Sequence, residues 1–426
     1  MSDTTIEFVR WNDKGWTNPE TILYSLSGVP IQLQIMADLK ERLLLSWVDD
    51  SNGDLLYSWS NLERANLESE WEDVVGLPAL SQLINSPDIV VDGTGKIVIA
   101  YVIPVNEERG IYIAQSTDNG GTWSSPVKAF DAVAAQWEGI AHPKINLGSD
   151  GVLHLLFIRD TVRIGQPVGL YYSRSVDGGS TWSDPQVLSE GEIYWADIAS
   201  YGDSTVHVVW QEYDGLVYAN VSQASQDGGL TWNKQNDITG VSNSSTPSGL
   251  ASDGHGLLHF ITLVKEDGNT KTINQENLTL QDWRWNGSSW ELELTKDLVL
   301  EGEDISYSLS VDITSTGFLG IFIPVERNDP LQGIKTEVLA LSRHLDDANK
   351  GQIIEIPVVP TSIAESNSPN AISSETAPTP DFSILYDDNI SSSSFQRNIA
   401  GIILIGVGVI VTILLLIRRR SPKMKP

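Results

Sequence analysis

One eight-residue phrase occurs three times in this 426-residue chain. The copies are Ser116-Thr-Asp118-Asn-Gly120-Gly-Thr-Trp123, Ser175-Val-Asp177-Gly-Gly179-Ser-Thr-Trp182 and Ser225-Gln-Asp227-Gly-Gly229-Leu-Thr-Trp232. Asp and Ser side chains cap backbone N–H groups inside a turn, and glycine supplies positive φ. The closing tryptophan offers a large apolar surface to a neighbouring unit. The copies start 59 and 50 residues apart, the spacing of a repeat array whose unit is a small sheet.

The sequence around these turns fills in the unit. Six strand pairs are expected, at residues 31–50, 86–105, 142–160, 194–213, 247–266 and 307–326. Their second members read LLLSWV, IVIAYVI, LHLLFI, VHVVW, LLHFITLV and GFLGIFIPV, apolar at nearly every position, as strands covered on both faces are. A third, alternating strand follows, then the turn, then a short outer strand. A four-stranded antiparallel meander of this length is a propeller blade, so an all-β propeller is expected. Six blades are favoured and seven remain open, because residues 5–22 read as third and fourth strands without a first and second. That surplus either closes the ring against the last blade or is the remnant of a blade whose start is absent.

On these residues the chain resembles the sialidase-like propellers built on Asp-box (BNR) repeats, over about residues 6 to 358. The resemblance implies that the boxes are structural and lie away from any substrate. Ser116, Asp118, Gly120 and Trp123 are therefore assigned to the scaffold, as are Ser175, Asp177, Gly179, Trp182, Ser225, Asp227, Gly229 and Trp232. The ligand is expected at the opposite face, where second strands end and first strands begin. Trp137, Glu138, His142, Arg159, Trp195, Asp197 and Arg327 fall there. Aromatic rings beside carboxylates suit sugar recognition. The competing reading is that the acids are merely solvated and that Trp137 and Trp195 plug the channel mouth.

A sialidase needs three arginines for the substrate carboxylate, and the family's Arg-Ile-Pro signature is missing; Tyr101-Val-Ile-Pro104 and Phe322-Ile-Pro324 lack the arginine. Recognition of an extracellular carbohydrate or protein without catalysis is therefore expected. The alternative is an exo-acting glycoside hydrolase, sialidase or neutral-glycan, with Asp160 and Glu212 as the catalytic candidates. A structural surface-layer role is a third possibility. No cofactor is expected, although Asp49, Asp50 and Asp54 offer oxygens in a tight loop where a structural calcium ion competes with an ordinary hairpin turn.

Composition narrows the partners. A formal net charge of −29 disfavours nucleic acid, which requires a basic stripe. The chain has no cysteine, which excludes disulfides and thiolate metal sites.

The C-terminus adds a membrane. Residues 399–417 carry no charge over 19 positions, and Arg418, Arg419, Arg420, Lys423 and Lys425 follow at once. The expected organisation is a propeller over residues 1–358, a Ser/Thr/Pro-rich disordered stalk over 359–397, a transmembrane helix over 398–418 and a basic tail over 419–426. The positive-inside rule places the tail in the cytoplasm and the propeller outside the cell. The first residues lack an export signal, so either the true beginning is missing or the chain is tail-anchored with its propeller in the cytosol; the former is preferred.

Overall fold

The structure is a computed structural model. It describes residues 4–12, 15–25, 28–161, 169–242, 245, 247–253, 256–265, 275–301, 303–305, 309–314, 317–329, 333–346, 349–350, 354–356, 404–405, 411–412 and 414–419.

Six antiparallel sheets follow one another along the chain, each running from an inner first strand to an outer strand. The first four are regular. Blade 1 comprises Pro30–Ala37, Arg42–Asp49, Leu55–Asn61 and Val75–Gly76. Blade 2 comprises Asn85–Val91, Ile97–Ile103, Gly110–Ser116 and Val127–Asp131. Blade 3 comprises Gly139–Leu147, Leu153–Asp160, Gly169–Ser175 and Gln186–Ser189. Blade 4 comprises Glu192–Tyr201, Thr205–Tyr213, Tyr218–Ser225 and Asn236–Asp237. Blade 5 has longer outer strands: Ser248–Ser252, Leu258–Lys265, Gln275–Trp285 and Trp290–Glu301. Blade 6 is built on Phe318–Asp329 and Gly333–Asp346, flanked by Ser310–Ile313 and Ile354–Ile356, with short extra strands at its margins. The fold is thus an all-β propeller of six blades, as the repeats indicate.

The apolar runs become second strands because a sheet sandwiched between two others has no polar face. Arg42–Asp49 and Ile97–Ile103 are buried at every residue. Their side chains feed successive cores between neighbouring blades. Leu44, Tyr57 and Ile99 share the core of blades 1 and 2. Val98, Ile113 and Phe157 share the next, and Leu156, Tyr172 and Trp210 the one after it.

The surplus N-terminal strands do not join blade 6 in the structure. Thr4–Val9 pairs with Glu20–Ser25, and Leu414–Arg419 pairs with the free side of Thr4–Val9. Ile6, Phe8 and Ile22 pack onto Leu43, Leu45 and Trp47 of blade 1, so this three-stranded sheet lies beside the first blade. Within the apolar C-terminal run the described residues are the short strands Leu404–Ile405, Val411–Thr412 and Leu414–Arg419. Among the described residues no helix is long and apolar enough to cross a membrane. The expected stalk at 359–397 lies outside the described residues.

Registers fix the two faces. Gly139 pairs with Asp160 and Pro30 with Asp49, so first strands begin where second strands end. Ile97 pairs with Ser116, so the turn that starts at Ser116 lies at the opposite end. In that turn Asp118 Oδ1 accepts the Ser116 hydroxyl (2.8 Å) and the Thr122 amide (2.9 Å), while Oδ2 accepts the Thr122 hydroxyl (2.7 Å). The Gly120 amide donates to Ser116 Oγ at 2.8 Å. Asp177 and Asp227 make the same set of bonds. The donors, led by the threonine hydroxyl, hold each carboxyl down to about 2.

These turns also join blades. Trp123 meets Tyr57 of blade 1 edge-on at 5.1 Å, and Trp232 meets Tyr172 of blade 3 at 4.8 Å. Gly120 and Gly229 have φ of 89° and 81°. A Cβ on Gly120 would lie 2.0 Å from Tyr57 Cε1, and one on Gly229 would lie 1.8 Å from the Tyr172 oxygen. Glycine is required there on both counts.

Candidate functional site

The first strands of blades 1 to 4 carry an irregularity near their beginning. The register against the second strand slips between Ile31 and Gln34, at Ser86 and Pro87, between Ala141 and Lys144, and between Ile193 and Trp195. In the first three, the leading extra residue is left-handed: Gln32 at φ 53°, Ser86 at 46° and His142 at 50°. Only glycine adopts such angles without strain, and a bulge of this kind re-aims a side chain. The same distortion in consecutive blades concentrates strain at one end of the axis, the end opposite the tryptophan-closed turns. Gln32 links two of these bulges, because its side-chain oxygen accepts the Ser86 amide at 2.6 Å.

Just beyond the bulges, Gln34, Asp88, Lys144 and Asp197 occupy equivalent positions, opposite Ser46, Ala100, Leu156 and Val209. Lys144 of blade 3 stands between the carboxylates of Asp88 and Asp197 from the blades on either side, and interacts with both. Burial alone would lower its ammonium, but the two carboxylates outweigh that and hold it above its ordinary value. Burial pushes both carboxyls up, against the pull of Lys144. Backbone donors fix the acids in place: Asp88 accepts the Ile145 amide of blade 3 at 2.8 Å, and Asp197 accepts the Leu250 amide of blade 5.

His142 lies one step nearer the mouth, within reach of both Asp160 and Lys144. Burial lowers its imidazole; Asp160 opposes that and Lys144 adds to it, leaving the ring neutral near pH 7. His142 is exposed, and Asp88, Lys144 and Asp197 are partly buried. The arrangement is a polar recess in which an Asp–Lys–Asp ladder, with one more carboxylate than ammonium, lies beneath an exposed histidine. It offers paired hydrogen-bond donors and acceptors to a polar ligand.

The sequence-derived residues distribute unevenly around this recess. His142, Asp160 and Asp197 come together there. Asp160 takes the Thr161 amide at 2.7 Å, and Glu138 takes the Thr161 hydroxyl at 3.1 Å, so both carboxylates edge the same loop. Trp137 is only 9% exposed and lies among Phe130, Phe157 and Tyr171. The Arg159 guanidinium sits over its ring at 5.6 Å. Trp137 is thus part of the core between blades 2 and 3. Trp195 is half-buried against the core of blades 4 and 5, 6.0 Å from Phe260. Glu212 is held by the Trp210 indole at 2.8 Å and the Ser189 hydroxyl at 2.7 Å, apart from the His142 group. Arg327 pairs in register with Glu303 in blade 6, and its side chain lies outside the described residues.

The loop expected to offer oxygens to calcium uses them internally. Asp49 accepts the Gly28 and Ser51 amides at 3.0 and 2.9 Å, Asp50 accepts the Val29 amide at 2.5 Å, and Asp54 accepts the Asn52 side chain at 2.7 Å. Among the described residues, the one trio with metal-ligand atoms mutually close is His259, Asp282 and Glu293. There the guanidinium of Arg343 already binds both carboxylates.

Asp88, Lys144, Gln32 and Ser86 were missed from the sequence. A signal existed: Ser86-Pro-Asp88-Ile and His142-Pro-Lys144-Ile are the same phrase at the same place in successive repeats, with an ionisable residue where a covered strand should be apolar.

No protein-family model matches the sequence, and no curated protein matches it. Among solved structures, an ulvan lyase of polysaccharide lyase family PL25, bound to -[GlcA(1-4)Rha3S]-, superposes with a TM-score of 0.52 at 12% identity, covering 78% of this chain and 85% of the lyase. A protein of unknown function from Dyadobacter fermentans gives 0.49 at 14% identity, with 78% and 96% covered. The NanB sialidase from Streptococcus pneumoniae gives 0.45 at 13% identity, with 79% and 69% covered. The chain therefore has the propeller fold seen in the lyase, at a sequence distance that speaks for architecture alone.

Proposed function

We propose that this protein is a membrane-anchored, cell-surface propeller that binds an extracellular glycan at the axial recess of blades 1 to 4, without turning it over. The observation that carries the reading is the ladder Asp88–Lys144–Asp197 under a left-handed, neutral His142. Strain retained at a solvent-reachable polar recess is characteristic of a ligand site. The ladder holds one more carboxylate than ammonium, so it favours a hydroxyl-rich ligand over an anion. The ulvan lyase that shares the fold also binds a carbohydrate, there an acidic one, -[GlcA(1-4)Rha3S]-.

Binding without turnover is supported by how the acids are used. Glu212 is bound to Trp210 and Ser189, and Arg159 lies over Trp137 rather than free for a substrate carboxylate. One observation favours the hydrolase alternative: the His142 imidazole stands beside the Asp160 carboxylate, side chains of the kind that move protons in catalysis. A glycan array together with fluorogenic sialoside and neutral glycoside panels separates the two. Binding with no turnover supports the proposal. Turnover abolished by Asp160→Asn or His142→Ala selects the hydrolase, and an absence of carbohydrate binding overturns both.

The surface location rests on residues 399–417, uncharged and followed by three arginines. The asymmetric charge supports a propeller outside the cell and a tail in the cytoplasm, with residues 359–397 as the spacer. Protease accessibility of the propeller on intact cells, with the protein retained in carbonate-washed membranes, is the expected result. Release of the protein into the wash overturns the anchor.

A further inference from the structure

A second feature of the same face lies outward from the axis. The hairpin between the second and third strands of blade 4 places Tyr213 directly opposite Tyr218, their rings 4.7 Å apart and tilted by 31°. Tyr194, at the start of the first strand, stands edge-on to them at 4.9 Å from Tyr218 and 6.2 Å from Tyr213. None of the three belongs to the core of blades 3 and 4, which takes Ile193, Ala196 and Ala219 instead. Tyr194 is 39% exposed, and Leu216 at the hairpin tip is 82% exposed.

Three aromatic rings gathered at a surface, packed on one another and outside the core of blades 3 and 4, form an apolar patch of the kind that marks a ligand site. Their chemistry specifies its class. Pre-assembled aromatic rings supply flat, rigid area for the C–H faces of a sugar ring, and each phenol keeps a polar handle at the edge. The Tyr194 hydroxyl donates to Glu192 at 2.9 Å, which fixes its ring. Asp214 caps the hairpin by accepting the Leu216 and Val217 amides at 2.8 and 2.9 Å. Residues 189–194 and 211–218 contain four carboxylates and no lysine or arginine, so a sulfated or uronic sugar is repelled there.

We infer that Tyr194, Tyr213 and Tyr218 form a stacking subsite for an uncharged sugar residue. The inference deepens the glycan-binding reading above and rests on it. Tyr194 precedes Asp197 by three residues on one strand, a separation of roughly 10 Å. An oligosaccharide seated in the axial recess therefore has this platform within a few sugar units, and the two places act as subsites of one extended chain.

The test uses the full-length protein in detergent, with gluco-, manno- and galacto-oligosaccharides as neutral probes and oligogalacturonate and chondroitin sulfate as acidic ones. A neutral oligosaccharide is expected to bind and to perturb the tyrosine ultraviolet spectrum. Its affinity falls about 10- to 100-fold in Tyr194→Ala and Tyr218→Ala, and stays within about twofold in Tyr194→Phe, which keeps the ring. Thermal melting identifies any variant that fails to fold, and Leu216→Asn serves as an exposed substitution on the same hairpin that leaves the rings in place. Loss of binding in His142→Ala with full binding in both tyrosine variants overturns the subsite and leaves the glycan reading standing. Preference for the acidic probes overturns the charge argument. No binding of any oligosaccharide overturns the subsite together with the reading on which it rests.

Discussion

Arg343 of blade 6 reaches into blade 5 and ends 2.9 Å from the carboxylate of Glu293, while its other terminal nitrogen pairs with Asp282. Asp282 in turn holds His259 Nδ1 at 2.7 Å, and Arg343, Asp282 and His259 are each at most 2% exposed. Ion pairs this deep are costly to assemble and costlier to break by halves. They couple two blades that otherwise meet through aliphatic side chains such as Leu263 and Ile321.

Removing one partner is the informative experiment. Arg343→Met is expected to destabilise the fold by about 3–5 kcal/mol, because it strands a buried carboxylate beside His259. Arg343→Met combined with Asp282→Asn and Glu293→Gln is expected to recover part of that loss. Denaturant unfolding of the single and triple variants measures both.

The glycines of the repeated turns give a sharper contrast. Gly120→Ala and Gly229→Ala each combine a disallowed φ with a collision against a tyrosine of the preceding blade. A loss of roughly 2–4 kcal/mol is expected in each, from strain plus overpacking. Gly93→Ala, where a Cβ meets nothing within 4 Å, is expected to change stability by less than about 0.5 kcal/mol. Thermal melts of the three variants suffice.

Acid should act in two stages. Burial holds His154 and His207 down to about 4, so the folded protein resists protons that the unfolded chain takes up below about pH 6.5. Stability from these residues is complete above that pH and is lost as pH falls toward 4. The turn carboxyls Asp118, Asp177 and Asp227, held at about 2, contribute stability that is complete above about pH 4 and is lost toward pH 2. Both ring nitrogens of His207 are buried without a hydrogen-bond partner among the described residues. His207→Phe is therefore expected to raise stability at pH 5 and flatten the first stage, as read from unfolding midpoints between pH 7 and 3.

His142 should trade stability against binding. Its left-handed backbone costs on the order of 1 kcal/mol, which glycine relieves. His142→Gly is expected to hold or raise the melting temperature while abolishing glycan binding. A variant that loses stability and keeps binding would assign the bulge to the fold instead.

Much of the architecture was legible in the chain. Runs apolar at every position become second strands because sheets cover both of their faces, and Asp118, Asp177 and Asp227 act within their own turns, so local sequence sufficed to place them. Counting strand pairs favoured six blades and left seven open; the structure has six. The surplus N-terminal strands were recognised as such, but their neighbour was not, since a hairpin's own residues do not say which sheet it will cover.

The recess depended on contacts between blades. Lys144 looks in sequence like any strand lysine; its meaning comes from Asp88 and Asp197, 56 residues before it and 53 after it, which only blade-on-blade packing brings alongside. Trp137 and Glu212 drew notice as loop residues with useful chemistry, yet Arg159 covers the first and Trp210 and Ser189 hold the second. Sequence by itself determined the repeating unit, because turn chemistry and strand burial are set by near neighbours. Tertiary structure decided which ionisable groups meet at the axis, because electrostatic and hydrogen-bond partners there come from different repeats.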